Sequence, residues 1–167
     1  MTGHYSGEFK FSRRWNEMNK WKKNQQYRLA LEKKILERNM PDFHFYEPMQ
    51  DTYVYGKWTS SVGNSYGIMI VIPDAFPEEC PNCYITEPAP LMSREGPLNE
   101  FPNNHDMHVW KTDIKEYTMV CTYKPANWSA AHSLEKVIQK ALLWVEAYEA
   151  HMITGNSIAD FLVTVKH

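Results

Sequence analysis

The spacing of apolar residues changes period twice along this chain. Over residues 13–39 it is helical: Trp15, Met18, Leu29 and Leu36 fall within one arc at 100° per residue, with Tyr27 and Leu31 off the stripe. Ser12 is the expected N-cap, and Asn39 with Pro41 the expected stop. The period then shortens to that of strands. Residues 43–47, 53–58, the nearly continuous apolar run 66–72 and residues 82–86 predict four strands, with Val62-Gly63-Asn64-Ser65 as a turn. One helix followed by a four-strand meander implies an antiparallel α+β fold. Residues 87–106 lose periodicity, and Pro88, Pro90, Pro97 and Pro102 break any regular element, so a long irregular loop is expected. A short apolar strand, Tyr117 to Val120, leads into Cys121. Helical spacing then returns, with Leu134, Ile138, Ala141, Val145, Tyr148 and Met152 at alternating steps of three and four. Ser133 is placed to cap this helix and Gly155 to end it, and Ser157-Ile158-Ala159-Asp160 opens a short last helix. No repeat or second domain interrupts the pattern, so residues 1–167 read as a single domain.

Composition supports that reading and narrows the class. Hydrophobic residues are 43% of the 167, enough for one sizeable core and too many for a disordered chain. No apolar run approaches the roughly 20 residues of a membrane span, and the first eleven residues contain no signal-peptide core. Three cysteines do not make a disulfide framework. Together these lead us to expect a cytoplasmic protein with no membrane partner. Charge is uneven. Residues 10–38 hold ten Lys/Arg against three acids, a net of +7, which leaves −9 for the rest of a chain whose total is −2. A basic arm on an acidic body suits an acidic docking partner, or is simply a solvated helix face. No nucleic-acid motif accompanies it, so nucleic acid is not expected.

Three groups of residues could carry chemistry. Cys121 stands where a strand gives way to a Pro-containing loop, Lys124-Pro125-Ala126-Asn127-Trp128. There a thiol can be reached by a partner, or it can be a small buried hydrophobe. Cys80-Pro81-Asn82-Cys83 has redox or zinc-ligand spacing. It precedes a strand rather than a helix and lacks two further ligands, so Cys83 reads as strand core and Cys80 as loop, with no metal or cofactor. His105 and His108 could be a metal pair, a general base with its orienter, or surface polar residues. A cysteine-protease dyad would place its cysteine at a helix N-terminus, and Cys121 is not so placed.

Phe76-Pro77-Glu78-Glu79-Cys80-Pro81-Asn82-Cys83-Tyr84-Ile85 resembles the proline-rich loop and following strand of ubiquitin-conjugating enzymes, with Pro77 and Pro81 at two family prolines and Cys80 in place of the one between. Cys121 matches the family's thioester cysteine. Trp128-Ser129-Ala130-Ala131 resembles its Trp-Ser-Pro-Ala, seven residues past the cysteine where eight is usual. The order of helix, meander and C-terminal helices also resembles the UBC fold. The family's His-Pro-Asn, about ten residues before the cysteine, is missing. Here His105 and His108 lie 16 and 13 residues before it, and Asn103, Asn104 and Asn127 are nearby by sequence only. The segment from Leu143 to Gly155 looks more like prokaryotic relatives from antiphage operons, which stand beside ubiquitin-like proteins or cyclic-oligonucleotide nucleotidyltransferases.

The resemblance implies a thioester-forming acyl transferase with Cys121 as the carrier and His105 and His108 as candidate catalytic residues. It also implies three partners: an activating enzyme, a ubiquitin-like protein or nucleotidyltransferase C-terminus as the acyl donor, and a protein substrate. Two other readings remain: a catalytically inactive UBC-fold binding module or scaffold, or an unrelated α+β domain with a buried Cys121.

Overall fold

The computed structural model describes residues 18–162. It is α+β: helix α1 (Lys23–Asn39), an antiparallel sheet, and C-terminal helices α2 (Leu134–Thr154) and α3 (Ile158–Leu162). Strands β1 (Phe43–Tyr46), β2 (Tyr53–Thr59), β3 (Ser65–Val71) and β4 (Asn82–Glu87) form the expected meander. The sheet does not stop at four strands. Beyond β4 lie β8 (Thr118–Val120) and then β7 (Val109–Trp110), so the sheet has six strands in the order β1-β2-β3-β4-β8-β7. β8 is the short apolar strand expected just before Cys121, and it extends the meander by pairing with β4, whereas the two-residue β7 is too short to show a period and escapes a sequence reading. The expected loop is also less irregular than its prolines suggest. It contains a small hairpin, β5 (Met92–Ser93) with β6 (Gly96–Pro97), and a 3₁₀ turn at Leu98–Glu100. Buried Leu91 and Leu98 hold it down, joined by an amide-to-carbonyl bond of 2.9 Å.

Strand register explains the core. Val54, Ile70, Cys83, Val120 and Val109 lie opposite one another in successive strands, a single row across the sheet, and all five are buried. Cys83 is therefore strand core, as expected from its place at the start of the apolar strand after the proline-rich loop. The next row pairs Phe43 with Gly56 and Gly56 with Ile68. A side chain at Gly56 would meet the Phe43 ring at 2.6 Å, so the Phe43 ring occupies the space that a residue larger than glycine would need. Helix α2 lays Leu134, Ile138, Ala141, Val145 and Tyr148 into this core, begins with Ser133 accepting from the Lys136 amide, and ends on left-handed Gly155. Met152 departs from the expected stripe and is exposed. His151 is buried in its place, because its ring nitrogens face the Asn156 carbonyl and the Arg94 amide.

The expected first helix is not continuous. Ser12, Arg13 and Trp15 lie outside the described residues, but residues 19–22 are not helical and α1 begins only at Lys23. The break allows Trp21 to enter the core and donate its indole N–H to Thr52 Oγ1 at 2.9 Å, while Gln25 accepts from the Lys22 amide at the new N-terminus. Met18, assigned to the apolar stripe, is exposed. Leu29 and Leu36 are buried, and off-stripe Tyr27 and Leu31 face solvent.

Helix α1 also carries the most buried acid. Glu32 is 1% exposed. Its Oε1 accepts from Arg28 Nε at 2.9 Å and its Oε2 from the Leu134 amide, the first of α2, at 3.0 Å. Arg28 then donates to the carbonyls of Ala130 and His132. A carboxylate at a helix N-terminus takes an amide that has no partner within the helix and meets the positive end of the dipole. Glu32→Ala should cost about 3 kcal/mol in a denaturant titration, since it leaves a guanidinium and a helix-start amide without their acceptor. Lys33→Ala, which removes only an exposed pair with Glu37 at 4.0 Å, should change the midpoint by under about 0.5 kcal/mol.

Candidate functional site

Cys121 sits at the end of the β8 ladder. The Val109–Val120 pairing places His108 directly across from it, and the Cys121 amide donates to the His108 carbonyl at 2.9 Å. That N–H is therefore committed and cannot serve a reacting carbonyl. His108 has φ +49°, in the left-handed region, at the close of a short turn begun by His105. The turn is fastened from below. Met107 is buried, its carbonyl accepts from Trp144 Nε1 of α2 at 3.0 Å, and the Asp106 carbonyl accepts from the Ala159 amide of α3 at 2.8 Å. The C-terminal helices thus set the position of both histidines, whose rings lie 5.2 Å apart.

The segment after the cysteine is fastened as firmly. Trp128 donates its indole N–H to the Pro77 carbonyl at 2.9 Å, joining the loop after Cys121 to the proline-rich loop before β4. Tyr123 packs edge-on to Trp128 and stacks on His132, with Lys140 Nζ 3.7 Å from its ring centre. Three residue groups separated in sequence therefore meet here: 76–83, 105–108 and 121–128.

Two cavities open beside the thiol. One, of about 250 Å³, is lined by Asn103, Asn104, His105, His108, Lys124 and Cys121 among others. The second, of about 430 Å³, has Cys121 together with His108, Lys124, Asn127, His132, Lys136 and Lys140 on its walls. All the site residues expected from sequence are thus gathered around one half-buried sulfur. Asn103 Oδ1 accepts from the Lys111 amide at 2.7 Å and Asn104 Oδ1 from the Met107 amide at 3.0 Å. Each carboxamide is thereby oriented through its oxygen, with its NH₂ not used in that bond. Sequence reasoning missed Lys136 and Lys140, because two lysines four apart on a helix read as a solvated face. It also passed over Lys124 and His132.

The electrostatics are mixed. Burial pushes the Cys121 thiol above the ordinary cysteine value, while Lys124 and Lys140 draw it back. Burial holds His108 below the ordinary histidine value, helped by His105 and Lys124, so it is neutral at pH 7. Burial also lowers Lys140, with Lys136 adding to the effect. Cys80 is pushed up to about 11, chiefly by burial and then by the neighbouring Cys121. Fully enclosed Cys83 is raised further by burial. Among the described residues, no group of three His, Cys, Asp or Glu side chains is arranged to hold a metal ion, and no helix is long and apolar enough to cross a membrane.

Comparisons with family models, curated proteins and solved structures each found no match to this chain.

Alkylation reports the thiolate. Cys121 should react with iodoacetamide more slowly at pH 7 than a free cysteine, with its rate still climbing as pH passes the point where the free thiol levels off. Lys140→Gln removes a cation that favours the thiolate and should move the profile to higher pH. Peptide mass spectrometry separates Cys121 from Cys80, and Cys83 should react only after unfolding.

Proposed function

We propose that this protein is a UBC-like thioester carrier: Cys121 accepts the C-terminal acyl group of a protein and passes it to an amine. The observation that carries this reading is the meeting of the two resembling segments, the proline-rich loop before β4 and the Cys121-to-Trp128 stretch, through the Trp128–Pro77 bond beside one half-buried sulfur. In the first step the Cys121 thiolate adds to the carbonyl of a thioester presented by an activating enzyme, and that enzyme's thiolate leaves. In the second, an amine adds to the Cys121 thioester, gives up a proton, and the Cys121 thiolate leaves. Both tetrahedral intermediates carry an oxyanion. The amides of Asn103 or Asn104, on the 250 Å³ side, serve as donors, since the Cys121 amide is occupied. Neutral His108 suits the removal of the amine's proton, with His105 beside it. The acyl donor is a ubiquitin-like protein or a nucleotidyltransferase C-terminus, and the setting is cytoplasmic, in bacterial antiphage defence.

The second reading, a binding module, is favoured by one observation: the thiol is raised rather than lowered. The two separate on chemistry. With activating enzyme, acyl donor and ATP, the parent should form a thiol-sensitive adduct that Cys121→Ala abolishes and Cys80→Ala retains. In single-turnover discharge of pre-charged enzyme, loss of the oxyanion donor should slow transfer roughly 100- to 1000-fold. Asn103→Ala, Asn104→Ala, His105→Ala and His108→Ala made singly identify it.

The basic face of α1 is proposed to meet the activating enzyme. Lys20 is not available for this role, since it is bound to Asp51 at 3.2 Å and Asp74 at 2.7 Å. Lys22, Lys23 and Lys34 are exposed. Reversing these three to Glu should slow charging of Cys121 and remove its salt dependence without moving the unfolding midpoint. Unchanged charging would leave only a solvated face.

A further inference from the structure

The 430 Å³ cavity beside Cys121 is charged in one direction. Lys124, Lys136 and Lys140 line it, with His108 and His132, and among the described residues its walls carry no carboxylate. Among the described residues none of the three lysines has an ion-pair partner there. The acid nearest in sequence, Glu135, is bonded instead to Asn39 Nδ2 at 3.1 Å, and Glu78 and Glu79 line a separate cavity. Lys140 is half-buried and meets the face of the Tyr123 ring where a counter-ion would be expected. Tyr123 itself is 7% exposed, and its hydroxyl has no hydrogen-bond partner among the described residues. Exposed Lys124 and Lys136 flank half-buried Lys140 with no carboxylate on the walls, which concentrates positive charge that a bound anion would neutralise.

We infer that this cavity binds carboxylates, and that the acyl donor carries an acidic segment just before the C-terminus it loads onto Cys121. The thiol forms part of the cavity wall, so whatever fills it lies next to the chain end being transferred. The lining favours carboxylate over phosphate. It has no Arg fork and no glycine-rich loop of convergent amides, the features that usually single out phosphate, and offers separate ammonium groups on flexible stems. The same cations would repel an incoming lysine, so an acidic donor tail would also ease the approach of the accepting amine. This part of the inference rests on the thioester-carrier reading; carboxylate binding by the cavity does not.

Two measurements on the full chain test it without acyl transfer. The first is the ratio of Cys121 alkylation by iodoacetate to that by iodoacetamide. Both reagents consume the thiolate, so the ratio cancels any change in thiol ionisation and reads local charge. The ratio should exceed that of a free cysteine at low salt, fall as salt rises, and drop about twofold for each lysine removed in Lys136→Gln and Lys140→Gln. The exposed Lys136 is the variant least able to disturb folding. The second is protection: a hexaglutamate peptide should slow iodoacetamide at Cys121, and Lys136→Gln should abolish the effect. A ratio equal to that of free cysteine overturns the inference. So does protection by tripolyphosphate or a short oligothymidylate where hexaglutamate gives none, which would make the site a phosphate site. Failure of the thioester assay leaves both results standing, so the two readings fail separately.

Discussion

A buried carboxylate holds the two halves of this domain in register. Glu32 lies inside the protein because it satisfies the Arg28 guanidinium and the first amide of α2 at once, and Arg28 carries the link on to the carbonyls of Ala130 and His132. A single side chain on the first helix thus sets where the last long helix starts and how the loop after Cys121 closes. An isolated buried charge would be prohibitive. Here every cost of desolvation is met by a charged or dipolar partner, so the geometry is held tightly. Lys136 and Lys140 project from the first turns of α2, and Trp128 and His132 lie in the loop. Lys136, Lys140 and His132, which share a cavity wall with Cys121, therefore start from this clamp.

The same economy appears where the histidines are placed. A turn with a non-glycine residue at φ +49° would be unstable alone. Trp144 and Ala159, from the two C-terminal helices, bind the carbonyls on either side of the buried Met107 side chain and hold the turn against β8. The result is a sulfur whose own amide is taken, whose neighbours are neutral or cationic, and whose pKa is a contest between burial and two ammonium groups. Burial by itself disfavours the thiolate. A carrier that must not react with stray electrophiles benefits from this, and so does a surface whose task is binding.

Much of the architecture was legible beforehand, for identifiable reasons. Cys83 was readable as core because it opens an apolar strand and its CxxC spacing lacks both the following helix of a redox motif and the further ligands of a zinc site. Ser133 and Gly155 were readable as helix ends because capping and left-handed backbone are local chemistry. Failures came where local signals were absent or outvoted. Strand β7, of two residues, is too short to show a period, and the pairing of β8 beside β4 is a long-range contact that no local pattern carries. The helical stripe ran on through residues 19–22, although the burial of Trp21 breaks the helix there. Met152 yielded its place to His151 because two polar partners in the hairpin and the following loop outweighed the apolar pattern.

The candidate site divides along the same line. Cys121, His105 and His108 could be named from the chain, since a thiol at a strand exit and histidines beside an irregular loop are visible in one dimension. Their adjacency could not, because the segment between His108 and Cys121 folds back through a pair of short strands whose register only pairing decides. The cationic cavity was wholly hidden. Its lysines come from the loop after the cysteine and from the polar face of a helix, where charge ordinarily means contact with water. By itself the sequence determined which segments are helix or strand, which cysteine is core and which residue types are available for chemistry, because those follow from local period and composition. Tertiary structure alone decided that five basic side chains and one thiol share a wall, because that depends on a carboxylate 102 residues from the amide it holds.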